Sequence, residues 1–170
     1  TGDAAAFAHG GGTVLMNYSG ASELEENGGT LALNNLTINH ANCDVTLVSP
    51  LTVAGTLIIT AGELDTGSNH ALTVTGDTLI NGGTLTCNAS AIKLRDDASG
   101  STWGLRVNSG TFNGGTGTHL IGGLTTRGGT TTLSSGTTTL NGAETSSSAS
   151  TLYSSHGGGA LNHGGGTVLV

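Results

Sequence analysis

Leu51-Thr52-Val53-Ala54-Gly55 is echoed by Leu72-Thr73-Val74-Thr75-Gly76, and the step from 51 to 72 also carries Ile59 to Ile80, Gly62 to Gly83 and Leu64 to Leu85. Within each segment apolar and polar residues alternate, the period of a β-strand and not of a helix. Short strands divided by Gly and repeated at this spacing are the mark of a solenoid. One coil cannot bury its Leu and Val alone; stacked coils lay them on those of the coil below.

The pattern extends outward from this stretch. Upstream, Ile38 falls one period before Ile59, and strands are expected at 13–18, 31–33 and 45–48, the last ended by Pro50. Downstream, residues 92–104 break the period, and Asp96-Asp97-Ala98-Ser99-Gly100-Ser101-Thr102-Trp103 reads as an insertion. Val107-Asn108-Ser109-Gly110-Thr111-Phe112 then repeats Ile80-Asn81-Gly82-Gly83-Thr84-Leu85 after a longer step, from 80 to 107. Residues 120–141 are Thr-rich, and 143–158 read as either a coil or a loop. The expectation is an all-β, single-stranded parallel β-solenoid over 1–170, with coils of about 19–21 residues and one insertion near 96–103. About eight coils would give a rod of roughly 40 Å. Its interior is expected to be a ladder of Val53, Ile59, Leu64, Val74, Ile80, Leu85, Val107 and Phe112. The polar residues that follow the central aliphatics, Asn39, Thr60, Asn81 and Asn108, should form a column that hydrogen-bonds from coil to coil.

A longer period lies over the short one. His9-Gly10-Gly11-Gly12-Thr13-Val14-Leu15 returns letter for letter as His163-Gly164-Gly165-Gly166-Thr167-Val168-Leu169. The chain is read as one large repeat and the opening of the next, from a longer polypeptide. Thr1-Gly2-Asp3-Ala4 has neither the basic start nor the apolar run of a signal peptide.

Composition narrows the function. Among 170 residues there are 31 Gly, 1 Pro and 3% aromatics, too few rings for an ordinary globular core but enough aliphatics for a thin one. The net charge of −7, with only 4 Lys and Arg, argues against nucleic acid and against an anionic membrane surface. No apolar run reaches the length of a transmembrane helix. At a constant step Cys43 aligns with Leu64, and Cys87 with Thr66. They then point inward two coils apart, too far for a disulfide, and read as small buried hydrophobes.

Several residues are candidates for chemistry. At the constant step Glu23, Asp44 and Asp65 fall in one outward column, where three carboxylates either stay solvated or recruit a Ca²⁺ through their oxygens. Asp96 and Asp97 read first as an exposed polar loop, then as a cation site, then as catalytic carboxylates; the local ligand set is incomplete. Trp103 reads as a cover for the core edge before a sugar-stacking platform. His9, His40, His70, His119, His156 and His163 show no metal-ligand spacing. No Gly-x-Ser-x-Gly, phosphate loop or Cys–His pair is present. An ice-binding face needs Thr-x-Thr in successive coils, but Thr73-Val74-Thr75 lies beside Thr52-Val53-Ala54, and Thr84-Leu85-Thr86 beside Glu63-Leu64-Asp65.

The segments at Leu36-Thr37-Ile38-Asn39, Val45-Thr46-Leu47, Leu51 to Leu57, Gly62-Glu63-Leu64-Asp65 and Leu72 to Gly76 carry a family likeness, as do Ser134 to Asn141 and Leu161 to Val168. Across nearly the whole chain the sequence resembles the β-strand-repeat proteins of secreted bacterial surface adhesins and of marine tailed-phage virions. The resemblance implies a fibre, stalk or adhesive surface, and supplies no catalytic residue. The expected function is a structural, non-enzymatic repeat module of a long fibre that is extracellular, on a cell surface or on a virion. It would need no cofactor, and its partners would be further copies of the same fibre and a cell-surface glycan. The alternatives are a carbohydrate-acting β-helix enzyme and, third, an ice-binding solenoid.

Overall fold

The computed structural model describes residues 10–95, 104–141, 152–154 and 158–170. No helix occurs among them. The chain forms strand triplets, each triplet one rung of a parallel stack. Rung 1 holds β1 (Thr13–Met16), β2 (Gly20–Leu24) and β3 (Leu31–Leu33). In rungs 2 and 3 the first two strands run together round a corner, as β4 (Asn35–Leu47) with β5 (Leu51–Val53), and β6 (Leu57–Asp65) with β7 (Leu72–Val74). Rung 4 is β8 (Thr78–Ile80), β9 (Thr84–Thr86) and β10 (Ile92–Leu94). Rung 5 is β11 (Leu105–Val107), β12 (Thr111–Asn113) and β13 (His119–Ile121). Rung 6 is β14 (Leu124–Thr126), β15 (Thr130–Thr132) and β16 (Thr137–Leu140). Rung 7 is β17 (Leu152–Ser154), β18 (Ala160–Asn162) and β19 (Thr167–Leu169).

Every pairing between rungs is parallel. The first two faces belong to a 12-stranded sheet because β4 and β6 join them; the third face is a 7-stranded sheet. The expected β-solenoid is therefore present, with seven rungs and six steps in place of the eight coils anticipated. At one strand spacing per step the stack is about 29 Å long.

The register explains the alternation seen in the sequence. Leu51, Leu72 and Ile92 follow one another down the inside of the third face, and Thr52, Thr73 and Lys93 down its outside. All eight residues of the anticipated ladder are buried. Ile59 lies between Ile38 and Ile80 and is fully buried, a placement worth about 1.5–3 kcal/mol for such a side chain. Asn108 Nδ2 donates to Asn81 Oδ1 at 2.7 Å, so part of the polar column is realised. The Thr-x-Thr segments lie beside the neighbours anticipated for them, Thr73 on Thr52 and Thr84 on Glu63.

Four features differ from the expectation or add to it. Val45, not Cys43, pairs with Leu64, and Cys43 pairs with Gly20. The cause is an irregularity in which Asn39 pairs with Ala61 but Asp44 with Glu63, so that the step shortens locally by two positions. Both cysteines are nonetheless buried and free. Secondly, the step lengthens twice: from Leu85 to Phe112, across the anticipated insertion, and from Leu124 to Leu152. The second expansion has no alternating pattern to announce it. Thirdly, the two identical His-Gly-Gly-Gly-Thr-Val-Leu copies feed different faces, β1 on the first and β19 on the third. Fourthly, the interior changes character along the axis. Rungs 1–4 are largely aliphatic, whereas His119, Thr126, Thr131, Ser134 and Thr138 are buried in rungs 5 and 6. Thr126 and Thr131 satisfy each other at 2.7 Å. Thr138 Oγ1 and both ring nitrogens of His119 have no hydrogen-bond partner among the described residues.

Candidate functional site: an acidic hollow at one corner

The hollow begins with the irregularity in β4. Between the Asn39–Ala61 and Asp44–Glu63 pairs, residues 40–43 of rung 2 face the single residue Gly62 of rung 3. Asn42 N donates to His40 Nδ1 at 3.2 Å inside this bulge. Gly62 has φ +80°, and a Cβ there would lie 2.6 Å from the His40 carbonyl oxygen and closer still to that of Cys43. Only glycine meets both demands. One rung on, a Cβ on Gly83 would lie 2.5 Å from both Gly62 O and Ile59 Cγ2. A hollow of about 330 Å³ opens on the outside of this corner, lined by Asp44, Glu63, Thr84 and Ala41 together with these glycines.

Asp44 and Glu63 are register partners on adjacent rungs. Their backbones are one strand spacing apart, about 4.8 Å, and two carboxylates at such a distance repel by about 1 kcal/mol even in water. Residues 10–75 hold six Asp and Glu and no Lys or Arg, so nothing cationic nearby in the sequence offsets them. Glu63 Oε1 accepts from Thr86 Oγ1 at 2.6 Å, which fixes its direction. The wall therefore offers acceptors to a polyhydroxyl ligand or to a cation.

The anticipated column of Glu23, Asp44 and Asp65 does not form. Glu23 pairs with Thr46 and Thr46 with Asp65, while Asp44 lies beside Ala21 and Glu63. The short step at the bulge moves Asp44 by two positions, which keeps it on the outer face but in the neighbouring column. Asp65 serves its own turn: Oδ1 accepts from Gly67 N and from Asn88 Nδ2, each at 2.6 Å. Among the described residues no three His, Cys, Asp or Glu come together as a metal site. Asp96, Asp97, Trp103, His9 and His156 lie outside the described residues. His40 is in the bulge. Constant-step counting overlooked Glu63 as the partner of Asp44; the signal for it was the short spacing of Val45 and Leu64 within otherwise matching strands.

Two other groups have perturbed chemistry. Burial pushes the Cys87 thiol well up, and the Asp65 carboxylate adds to the effect, so this cysteine is a poor nucleophile. Burial lowers the His119 imidazole to about 4, against a smaller opposing pull from the Gly114 backbone, which lies near the ring without satisfying either nitrogen. The ring meets Phe112 edge-on, with centroids 5.9 Å apart.

Comparison with protein-family models, curated proteins and solved structures finds none that matches this chain.

Proposed function

We propose that the chain is a structural repeat module of a long extracellular or virion fibre, one that supplies length, stiffness and an adhesive surface. The observation that carries this reading is the unbroken parallel register from rung 1 to rung 7 on the third face. Each rung is held by its neighbours through backbone bonds and columns of inward side chains, largely aliphatic in rungs 1–4, so rungs add along an axis. The likeness to β-strand-repeat proteins points the same way. The test is a set of covalent tandem copies viewed by electron microscopy. Rods that lengthen by at least about 34 Å per copy, seven strand spacings, support the reading; separate beads joined by flexible links refute it.

A second reading, a carbohydrate-acting β-helix enzyme, has one observation in its favour, the paired Asp44 and Glu63 in a hollow of sugar size. Release of reducing ends from a surface polysaccharide, lost in D44N and in E63Q, would support it over the fibre.

A further inference from the structure

The second face differs from the other two in how many columns it turns outward. On the first and third faces a short strand sets one residue out between two that point in, as in β8, β10, β11 and β13. On the second face the order is reversed: β9, β12 and β15 each bury a central residue and turn both flanking residues out. The register then places Thr84, Thr111 and Thr130 in one outward column, and Thr86, Asn113 and Thr132 in the column beside it. Counting at a constant step set Thr84-Leu85-Thr86 only against Glu63-Leu64-Asp65; the changed steps to Thr111 and Thr130 hid its match on the other side. None of the six is charged; the threonines are partly exposed and Asn113 is exposed. On the same three rungs the outward residues are Leu79, Arg106 and Thr125 on the first face, and Lys93, Leu120 and Thr139 on the third. Only the second face of rungs 4–6 carries a two-dimensional, uncharged array of hydrogen-bonding side chains.

We propose that this array is a surface that binds crystalline water. The inference goes beyond the fibre reading and does not depend on it. Ice is a tetrahedral lattice of oxygens joined by O–H···O bonds of about 2.75 Å, so two oxygens that share a neighbour lie about 4.5 Å apart. Rungs are about 4.8 Å apart, so the two steps from β9 to β15 accumulate a mismatch of only about 0.6 Å. Along a strand, residues two apart are separated by about 6.6 Å, against a lattice period along the hexagonal axis of eight thirds of the bond, about 7.3 Å. Both differences are small beside the reach of a threonine side chain. Threonine is stiff about χ1, so its hydroxyl and methyl stay in place and little freedom is lost on meeting a rigid lattice. Thr86 Oγ1 donates to Glu63 Oε1 at 2.6 Å, which anchors the border of the array. Among the described residues the hydroxyls of Thr84, Thr111 and Thr130 take no protein partner, so one on each rung is open to lattice water. The acids of this face, Glu23, Asp44, Glu63 and Asp65, stop at rung 3 and leave the array free of bound liquid hydration shells.

The test uses the full chain and ice itself. A dilute solution is frozen slowly from a cold probe, and protein in the ice is compared with protein left in the liquid, with serum albumin as a protein that ice rejects. The natural chain should be enriched in the ice relative to albumin, and crystals held just below their melting point in its solution should grow with flat facets. T111Y sets a ring in the middle of the array and should drop incorporation to the level of albumin; T130Y, on the next rung, should do the same. T73Y makes the same change at an outward threonine of the third face and should leave incorporation unchanged. Far-ultraviolet circular dichroism near the freezing temperature checks that each variant is folded. Rejection of the natural chain from ice overturns the proposal, as does full incorporation of T111Y and T130Y, or loss in T73Y alongside them. Rejection from ice together with retention on cellulose that T111Y weakens would assign the face to a neutral polysaccharide and overturns it too. No such result bears on the covalent tandem rods, so the fibre reading stands or falls separately.

Discussion

The buried imidazole of His119 makes a pH prediction with a defined window. Its inner column places Ile92 on one side and Thr138 on the other, with the Phe112 edge across the core; no charged side chain is among these neighbours. Burial holds the folded group at about 4, against 6.5 for an ordinary histidine. The native protein therefore keeps it neutral, while the unfolded chain takes up a proton as the pH falls through 6.5. Between 6.5 and 4 the unfolded state binds more protons, so stability falls with falling pH; above 6.5 nothing is lost, and below 4 this group adds no further loss. At about 1.4 kcal/mol per pH unit the window is worth about 3 kcal/mol, or a melting shift of about 10 °C for a chain of this size. The comparison is His119→Leu, which matches the Leu72 and Ile92 column, followed by thermal melts at pH 7.5, 5.5 and 4. Carboxylates titrate alike in both proteins and cancel in the difference. The natural chain should lose about 3 kcal/mol more than the variant across the window. Parallel pH profiles would mean that His119 is solvated or paired, and the account of the rung 5 core would be wrong.

Other consequences follow from the register. Ile59→Asp or Ile80→Asp places an unpaired charge at a fully buried position and should cost several kcal/mol; a chemical-denaturation midpoint equal to that of the natural chain refutes the register. Gly110 has φ +79°, and a Cβ there would lie 2.8 Å from the Gly82 carbonyl carbon, so G110A should cost at least about 2 kcal/mol in the same assay. The thiols of Cys43 and Cys87 should resist a disulfide reagent at pH 8 until denaturant is added; rapid labelling of the folded chain would contradict their burial.

The fold was legible in the sequence where the coil length is constant. Leu51 on Leu72, Ile59 on Ile80 and Leu64 on Leu85 all share one step, and there alternation alone assigned the correct inner residues and their partners. It failed at 39–44, because counting at a fixed step cannot detect extra residues absorbed at a corner. The bulge leaves the inward–outward alternation of Val45 and Leu47 intact while shifting their partners by two. That displacement dissolved the predicted acid column and hid the Asp44–Glu63 pair. It failed again beyond Leu140, where Ser, Ala and Gly offer no alternation. His119 escaped for another reason: a histidine between Thr118 and Leu120 reads as polar surface, and only the lengthened step that sets it beside Ile92 turns it inward.

The same axial change in the core bears on how the rod behaves as a whole. A solenoid's stability is close to a sum of rung and neighbour terms. Among the described residues, rungs 2–4 contribute mainly stacked Leu, Ile and Val, with one unpartnered hydroxyl at Thr78, whereas rungs 5 and 6 contribute the unpartnered imidazole of His119 and two unpartnered hydroxyls, Thr125 and Thr138. Opening should therefore start in rungs 5 and 6, and acid should bring it on first there, around His119. Hydrogen exchange tests this: protection of β13 and β16 should fall with acid, while that of β5 and β7 holds. Equal loss of protection along the whole stack would instead mean a single cooperative unit, in which the unpartnered groups of rungs 5 and 6 weaken rung 2 as much as rung 7.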